Sequence, residues 1–403
     1  MDSVHSPLDV TALREDTLGC AGVIHLNNAG SALPPAVVVD TMVEHLRREE
    51  LIGGYEAHAE ATDRIARVYD SVAHLIHARA DQVALVESAT AAWDRAFVAL
   101  KFSNVVVPGS RILVSSAEYA SNVLPAFQVA KALGCQVEFI PDGADGTVDV
   151  NALKQMLDED VHLVAINHCP SQNGLINDAA AIGAAIRERS SAYYLLDACQ
   201  SIGQLDVNVE NIGADFVSAT SRKFLRGPRG SGFLYASDRA LTELEPFPLD
   251  LHSATWVPGG YEIAEGAKRF ESWEKSYAAV LGLGAAVDYA LNLGMDRIRE
   301  RISHLAEYTR SGLATIEGVT ILDRGGSPAQ RSGIVTLTRQ GIAATDLVVQ
   351  IKAAGVNVSL STPDYSRIDF DGHGIPGLVR VSPHVFNTEW EIDRLLEVVA
   401  ATS

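Results

Sequence analysis

The stretch LLDACQ at residues 195–200 is an apolar run that ends in an acid, and SATSRKFLRGPRG at residues 218–230 follows the next apolar run. Both are typical of a buried β-strand that leads into a turn. The carboxyl ends of neighbouring parallel strands meet at one edge of a sheet. We therefore expect the side chains of Asp197 and Lys223 to emerge together on one rim of an α/β domain.

The segments on either side repeat this alternation of strands and helices from about residue 60 to residue 240. Nearly continuous apolar strands are typical of a mostly parallel sheet that helices cover on both faces. We predict a large three-layer α/β domain over residues 21–275. The predicted strands are Val83–Val86, Arg111–Val114, Gln136–Ile140, Leu163–Asn167, Tyr193–Asp197, Asp215–Ser218 and Gly232–Tyr235, and the predicted helices include Ala91–Leu100, Val123–Leu133, Val150–Leu157 and Ala179–Arg189.

The pattern changes after about residue 275. Apolar residues at helical spacing predict one long helix from Tyr277 to about Ile316, and further helices begin near Thr345 and Thr388. This alternation predicts a smaller C-terminal α+β domain over residues 276–403. Residues 1–20 form an N-terminal segment without a predicted structure. The predicted strands of the small domain are Gly333–Leu337, Asn357–Leu360 and Leu378–Val381.

The net charge narrows the range of partners. Lys and Arg total 32 against 51 Asp and Glu, which gives a formal charge of −19. Because such a chain repels phosphate backbones and anionic lipid, we expect neither nucleic acid nor a membrane as a partner. An anionic ligand has to be held by specific local cations.

The cysteines and the N-terminal residues indicate the cellular compartment in which the protein is expected. The four cysteines form no CxxC pair and match no zinc spacing, so no metal site is predicted. Residues 1–10 lack the apolar core of a signal peptide, and no apolar run reaches the ~18–20 residues of a membrane span. We expect a cytoplasmic protein.

The two residues at the predicted rim suggest a particular cofactor. A lysine amine that forms Schiff bases and a carboxylate that pairs with a protonated pyridine nitrogen are the chemical minimum for pyridoxal 5′-phosphate. The alternative for Asp197 is a helix cap or solvated turn. The alternative for Lys223 is a basic surface turn. Their joint placement at successive strand ends favours the cofactor.

Other segments offer sites for anions. Residues 87–93 follow a strand and open a helix, so backbone N–H groups there are placed to hold a phosphate, with a hydroxyl from Thr90. Thr220 and Arg222 offer further phosphate contacts. An ordinary helix cap explains residues 87–93 equally well. Arg380 interrupts an apolar strand, which indicates either a substrate α-carboxylate or a structural salt bridge.

These motifs together resemble a known family. The set Asp197-x-x-Gln200, Ser221-Arg222-Lys223 and Arg380 with Asn387-Thr388 is similar to the class V aminotransferases, which are fold type I pyridoxal-phosphate enzymes. The resemblance covers roughly residues 20–400. It is most specific over residues 197–232, and it is strongest for the branch of cysteine desulfurases, isopenicillin N epimerases and hercynylcysteine sulfoxide lyases.

The resemblance implies a role for each matching residue. Lys223 is implied to be the Schiff-base lysine and the proton shuttle at Cα, with Asp197 on the pyridine nitrogen. Gln200, with Ser171 or Gln172 nearby, is implied to bind the phenolic oxygen. The remaining implied contacts are Ala89, Thr90, Thr220 and Arg222 for the phosphate, Arg380 for the substrate carboxylate, and Asn28, Ala29 and Gly30 for the substrate-side loop.

Family members are dimers with active sites at the subunit interface, so the resemblance implies a homodimer. The segment at residues 270–274 matches the place where one subunit reaches its neighbour's site, which makes Trp273 and Glu274 candidates for this contact. Tyr55 is a third candidate. Ordinary core packing explains Trp273 and Tyr55 equally well.

Two departures from the family pattern bear on the reaction. Residues 358–364, where desulfurases carry a persulfide-forming cysteine, contain none, and Cys169 and Cys199 are expected to be buried small hydrophobes. A persulfide relay is therefore not expected. Ala120 occupies the position of the histidine that stacks on the cofactor, so either Tyr119 or Trp93 covers the ring or that face is open. An open face suits an amino acid with a large side chain.

The resulting hypothesis is a C–S β-lyase that acts on an S-substituted cysteine, with a role in natural-product biosynthesis such as that of antibiotics. The same residues serve a decarboxylation-coupled oxidative deaminase of a cysteine S-conjugate, an amino-acid epimerase or an aminotransferase. A non-catalytic binding protein that retains the fold is a further alternative. The presence of Lys223, Asp197 and Arg380 argues against it, because a binding protein has no chemical need for the lysine.

Overall fold

The computed structural model describes residues 7–323 and 325–402, so the first six residues of the predicted N-terminal segment lie outside the described part. The strands are β1 Ile24–His25, β2 Val83–Val86, β3 Arg111–Ser115, β4 Gln136–Ile140, β5 Val161–Asn167, β6 Tyr193–Asp197, β7 Phe216–Thr220, β8 Gly232–Ala236, β9 Ala254–Val257, β10 Gly260–Ile263, β11 Val319–Ile321, β12 Val335–Arg339, β13 Val356–Asn357, β14 Ser359–Ser361 and β15 Leu378–Val381.

The α-helices connect these strands and cover the sheets. They are α1 Val10–Glu15, α2 Asn28–Ser31, α3 Ala36–Ile52, α4 Gly54–Leu75, α5 Ala89–Phe102, α6 Ala120–Leu133, α7 Val150–Met156, α8 Ala179–Arg189, α9 Val209–Ile212, α10 Asp238–Glu243, α11 Tyr277–Leu293, α12 Met295–Leu313, α13 Ala344–Ala353, α14 Arg367–His373 and α15 Glu389–Ala401.

The central sheet has the strand order β2-β8-β7-β6-β5-β3-β4. Pairing is parallel from β7 through β6, β5 and β3 to β4, whereas β8 is antiparallel to both of its neighbours. Successive residues alternate between two apolar clusters, since Leu195 and Phe216 belong to one cluster and Leu196 and Val217 to the other. Apolar cores on both faces make this a three-layer arrangement. The predicted α/β class with a mostly parallel sheet is confirmed.

The carboxyl ends of the parallel strands bring polar residues to one edge of this sheet. Asp197 ends β6 and lies opposite Asn167 of β5 and Ser218 of β7. Thr220 ends β7 and is followed three residues later by Lys223. This edge is where ligands bind in open α/β sheets.

A second, antiparallel sheet has the strand order β11-β12-β15-β14 and its own apolar core. Its strand β15 carries Arg380, which pairs with Thr336 on one side and Ser359 on the other. The short strand β1 pairs in parallel with β13, so the chain's first strand lies beside the C-terminal region. The predicted boundaries at residues 20 and 275 stay predictions.

The long helix predicted from Tyr277 to Ile316 is two helices instead. α11 and α12 meet at Gly294, whose φ of +86° favours glycine, and the helix axes are bent by 82°. Among the described residues no single helix is long and apolar enough to cross a membrane, and only the bent pair α11–α12 reaches that length and composition together. The sequence analysis also did not identify α3, α4 or the β9–β10 hairpin.

One buried ion pair supports the small sheet. Arg310 of α12 donates through Nε to Asp323 Oδ2 at 2.7 Å, and both side chains are almost fully buried. The other oxygen of Asp323 accepts from the backbone N and the hydroxyl of Thr336 on β12. The carboxylate therefore joins a helix to the sheet.

We expect the substitution Asp323→Ala to lower the free energy of unfolding by about 3 kcal/mol, because the guanidinium of Arg310 loses its buried counter-ion and keeps only the partly exposed carboxylate of Glu307. The matched control Asp364→Ala breaks an exposed pair with Arg367 and is expected to cost less than about 1 kcal/mol. Urea denaturation of both variants measures the difference. Equal stability losses would contradict this account.

Candidate active site

A cavity of about 380 Å³ opens at the carboxyl edge of the central sheet and is closed on its far side by β14 and β15. It contains most of the residues that the sequence analysis selected. Its lining includes Ala29, Gly30, Ala89, Thr90, Ser171, Asp197, Gln200, Thr220, Arg222, Lys223 and Arg380. Asp197 and Lys223 thus face one cavity.

A tight turn holds Lys223 in this cavity. The hydroxyl of Ser221 donates to the carbonyl of Pro228 at 2.6 Å, and the backbone N of Gly227 donates to the carbonyl of Ser221 at 2.8 Å. Burial lowers the pKa of the Lys223 amine, and the nearby charge of Asp197 opposes this only in part. A lower pKa increases the fraction of neutral amine, which is the nucleophilic form.

The turns after β6 and β7 are in direct backbone contact. Gly203 has φ +89°, and a Cβ atom there would lie 2.3 Å from the backbone of Phe224 and Leu225. Only glycine allows this approach. The turn that follows Asp197 and the turn that carries Lys223 are therefore packed main chain against main chain.

Hydrogen bonds orient the carboxylate of Asp197. Its Oδ1 accepts from the backbone N of Cys199 at 2.8 Å, and its Oδ2 accepts from Nδ2 of Asn122 at 2.8 Å. Asn122 lines the cavity but was missed in the sequence analysis. It lies in the first turn of α6, which follows β3, so the rule that strand ends share an edge would have identified it.

The N-terminus of α5 forms an anion cradle in the cavity wall. Ser88 caps the helix by accepting from the backbone N of Ala91 at 3.1 Å, which leaves the first helical residues, Ala89 and Thr90, facing the cavity. A helix N-terminus favours an anion through its free N–H groups and its dipole. Thr220 adds a hydroxyl from β7, and Arg222 adds a guanidinium that also donates to the carbonyl of Gly30.

Arg380 is buried without a counter-ion among the described residues. Its Nη1 donates to the carbonyl of Ser171 at 2.9 Å, whereas its Nε is buried and has no partner there. Burial lowers its pKa to about 10, so the side chain remains a cation at neutral pH. The structural salt bridge considered for Arg380 is absent from the described part of the chain. The free Nε is suited to an incoming carboxylate.

Two of the residues selected for the cofactor and the substrate do not line the cavity. Gln172 donates to the carbonyl of Ala117 and to Ser366 Oγ at 2.9 Å, which turns its amide away, so of the pair Ser171 and Gln172 only Ser171 lines the cavity. Asn28 donates to the carbonyl of Ser382 at 2.8 Å and is fully buried at the start of α2. Both are corrections, and in each case a backbone carbonyl competes for the amide.

Gln200 lines the cavity with one atom unused. Its Nε2 donates to the carbonyl of Ala29 at 3.1 Å, while its Oε1 is buried and has no partner among the described residues. A buried polar atom without a partner is unfavourable. A ligand in this cavity would therefore improve the environment of Gln200 as well as that of Arg380.

The aromatic rings that line the cavity include those of Tyr119 and Tyr365. Ala120 is not part of the lining, and Trp93 is buried in the core between α5 and the sheet. Tyr119 stacks on Tyr365, with ring centroids 6.2 Å apart and an angle of 11° between the planes. Of the residues considered in the sequence analysis, only Tyr119 is placed to cover a ring in the cavity.

The cysteines near the cavity are poor nucleophiles. Burial raises the pKa of the Cys169 thiol to about 12 and also raises that of Cys199, so both stay protonated at neutral pH. Both cysteines line the cavity, to which strand β14 contributes Ser359, Leu360 and Ser361. The expectation that both thiols are buried agrees with their position.

The three candidates for contact with a second subunit lie in a different cavity. Tyr55, Trp273 and Glu274 line a cavity of about 620 Å³ between α4 and the segment before α11. Tyr55 is 79% exposed and Trp273 is 50% exposed, so core packing does not account for either residue. Exposed aromatic side chains of this size are common in protein interfaces.

The residues of the first cavity fit pyridoxal 5′-phosphate. An amine and a fixed carboxylate share the cavity with a helix N-terminus suited to a phosphate, and Arg380 Nε and Gln200 Oε1 are free to bind. Fold and site together define a fold type I pyridoxal-phosphate enzyme. Residues 24–395 match the family model described as aminotransferase class-V, and the chain belongs to that family. The predicted family and its cofactor are confirmed.

The individual proteins that the chain is similar to include cysteine desulfurases and a cystine C–S lyase. The chain is 29% identical over 385 residues to a probable cysteine desulfurase of Methanothermobacter thermautotrophicus, covering 93% of this chain and 94% of the relative. It superimposes with a TM-score of 0.90 on the apo cysteine desulfurase of Thermococcus onnurineus NA1, at 25% identity and 99% and 98% coverage. A complex of the cystine C–S lyase C-DES with cysteine persulfide gives a TM-score of 0.86 at 22% identity, with 96% and 99% coverage.

Proposed function

We propose that this chain is a carbon–sulfur β-lyase that acts on an S-substituted cysteine. The observation that carries the proposal is a cavity that combines Lys223, Asp197 and Arg380, in which β14 presents serines and burial raises the pKa of the two lining thiols, Cys169 and Cys199. The named relatives include cysteine desulfurases and a cystine C–S lyase. An enzyme of this kind without a sulfur-accepting thiolate releases its sulfur product to solvent.

Different residues of the cavity bind different groups of the substrate and the cofactor. Arg380 holds the α-carboxylate of the substrate through its free Nε. The N-terminus of α5 with Thr90, Thr220 and Arg222 holds the phosphate, and Asp197 keeps the pyridine nitrogen protonated. When bound, pyridoxal 5′-phosphate withdraws electrons from the substrate Cα. Gln200 and Ser171 border the same space and complete the polar lining.

Lys223 moves the proton at Cα. Its partly buried amine has a lowered pKa, which suits a base that operates near neutral pH. Once the Cα proton is removed, the Cβ–S bond breaks and the sulfur leaves with the bonding electron pair. Water then releases the remaining three-carbon unit as pyruvate and ammonia. The sulfur group leaves as a thiol or, from a sulfoxide, as a sulfenate.

The direct test incubates the purified protein with S-substituted cysteines and measures pyruvate, thiol and ammonia. Equal amounts of pyruvate and thiol are expected. Release of carbon dioxide with an aldehyde would contradict the proposal and indicate decarboxylation-coupled oxidative deamination. Loss of optical rotation without these products would indicate epimerisation. A keto acid that retains its sulfur would indicate an aminotransferase. A colourless protein that stays colourless with added cofactor would indicate a binding protein.

We expect Arg380→Gln to raise KM for the amino-acid substrate about 10-fold to 100-fold, because a charge-assisted hydrogen bond to the carboxylate is lost. Cofactor absorbance should persist, since Arg380 does not hold the phosphate in this proposal. The matched control is Arg394→Gln on α15, whose side chain is exposed. Steady-state kinetics of both variants measure the effect. An unchanged KM would remove Arg380 from the substrate site.

We further propose that the protein is a cytoplasmic homodimer in which Tyr55, Trp273 and Glu274 reach the neighbouring site. Their exposed position supports this role. Light scattering of the wild-type protein and of Trp273→Ala tests it, with a dimer expected for the first and partial dissociation for the second. Natural-product biosynthesis stays a prediction, and its test is the range of large S-conjugates that the protein cleaves.

A further inference from the structure

A second carboxyl group is buried directly behind Asp197. Glu118 lies between β3 and α6, and only 2% of its surface is exposed. It does not line the cavity, and no step of the proposed reaction uses it. Burying an acid in this position is unfavourable unless hydrogen bonds compensate for it. Its partners therefore indicate what it does.

One side-chain amide joins the two carboxyl groups. Nδ2 of Asn122 donates to Glu118 Oε1 at 2.9 Å and to Asp197 Oδ2 at 2.8 Å. An amide nitrogen has two protons, and here each has its own acceptor. The opposite orientation of the amide would place its oxygen against two further acceptors. The contacts therefore require the nitrogen to lie between the two carboxyl groups.

The hydrogen bonds at Ser115 indicate the protonation state of Glu118. The hydroxyl oxygen of Ser115 lies 2.9 Å from Glu118 Oε2 and 3.2 Å from Asn167 Oδ1, but it has a single proton to donate. The amide nitrogen of Asn167 is already used, because it donates to the carbonyl of Ala117. If Glu118 carries a proton, it donates to Ser115, and Ser115 donates to Asn167. Every contact in this chain is then satisfied.

The charges around Glu118 favour the same state. Burial and the negative charge of Asp197 raise the pKa of Glu118 to about 8. Tyr194, on the same strand as Asp197, is the other titratable group that interacts with it, and burial keeps that phenol neutral. The remaining hydrogen-bond partners of Glu118, which are the Ser115 hydroxyl, the Asn122 amide and the backbone N of Tyr119, do not titrate. A neutral Glu118 leaves one negative charge, that of Asp197, at the cavity.

We propose that Asn122 and Glu118 are positioning residues for Asp197: the Asn122 amide fixes the carboxylate in the cavity, and the uncharged Glu118 carboxyl anchors that amide from behind. The pair acts through Asp197, because both protons of the Asn122 nitrogen are used by the two carboxyl groups. The inference rests on the cofactor site described above, and it does not depend on which amino acid the enzyme cleaves.

The first test removes the bridging amide. Purified holoenzyme of Asn122→Ala is diluted, and the loss of the cofactor band at about 420 nm is followed over time. We expect the cofactor to be bound about 10-fold to 100-fold more weakly than in the wild type, because Asp197 loses a charge-assisted hydrogen bond. The matched control is Gln128→Ala on the exposed side of the same helix, which should retain the cofactor.

The second test distinguishes an uncharged from a charged Glu118. In Glu118→Gln the side-chain nitrogen replaces the protonated oxygen toward Ser115, so this variant should retain the cofactor at pH 7 within about threefold of the wild type. Above pH 8 the wild-type carboxyl ionises and stabilises the protonated form of the lysine-bound nitrogen. The variant cannot ionise, so the alkaline midpoint of its 420 nm band should fall by about one pH unit.

Each outcome decides the inference. Cofactor retention in Asn122→Ala equal to that of the wild type would overturn it, as would cofactor loss in Glu118→Gln at pH 7 or an unshifted alkaline midpoint. These readouts require no substrate turnover. If the protein fails to form pyruvate from S-substituted cysteines but shows the expected cofactor behaviour, the proposed reaction fails and this inference stands.

Discussion

Replacing Lys223 by alanine is expected to abolish turnover, with a loss of about 10⁴-fold or more. The variant lacks both the amine that attaches the cofactor and the base that moves the Cα proton, and acid–base catalysis alone supplies about 10²–10⁴-fold. The 420 nm band of the purified protein should disappear with it. Pyruvate formation and an absorbance spectrum measure the two effects separately.

A matched control for Lys223→Ala is Lys154→Ala, which removes a partly exposed lysine that pairs with Glu188 far from the cavity. It should retain both colour and turnover. Added ammonia or methylamine should restore a small part of the activity of Lys223→Ala, because a free amine then accepts the Cα proton. A Lys223→Ala protein with wild-type turnover would refute the assignment of the site.

The substitution Asp197→Asn is expected to lower kcat about 10²–10³-fold, while the overall shape of the side chain is preserved. It removes the one negative charge placed to keep the pyridine nitrogen protonated, and preorganised charges in active sites contribute about this much. The amide also meets two donors, Asn122 Nδ2 and the backbone N of Cys199, where the carboxylate offered two acceptors. The cofactor should therefore also bind more weakly.

Steady-state kinetics and cofactor titration of Asp197→Asn separate these two contributions. At saturating cofactor the loss in kcat should persist, since weaker binding is then compensated and the missing charge is not. The exposed Asp393→Asn on α15 serves as the control and should behave as the wild type. Full recovery of kcat by excess cofactor would contradict an electrostatic role and leave Asp197 a purely structural residue.

The sequence predicted those parts of the fold that depend on local patterns. The strands of the central sheet are short apolar runs, and all seven lie within a few residues of their predicted positions. The break between α11 and α12 was missed because a glycine inside a helical pattern is compatible with a continuous helix. The chain bends there because Gly294 adopts a positive φ. That conformation depends on how the two helices on either side of Gly294 pack.

In the candidate site, too, the sequence predicted what depends on residue chemistry and did not predict what depends on tertiary contacts. Lys223, Asp197 and Arg380 were selected by their chemistry, and the structure brings all three into one cavity. Gln172 and Asn28 were misplaced because the choice between a ligand and a nearby backbone carbonyl is made by tertiary contacts. Asn122 and Glu118 were missed for a related reason. The rule for strand ends would have placed Asn122 at this edge of the sheet, but the hydrogen bonds that join it to Asp197 and Glu118 are tertiary contacts that the sequence does not show.

The glycine contact between the two turns has a consequence for how the enzyme acquires new substrates. At Gly203 the backbone of the turn after Asp197 packs against the backbone of the turn that carries Lys223. Mutations that alter side chains elsewhere therefore leave the distance between Asp197 and Lys223 unchanged. Arg380, Ser359 and Tyr365, which line the cavity, come from a different sheet or from the segment after its strand β14. Selectivity can therefore diverge during evolution while the underlying chemistry is inherited unchanged.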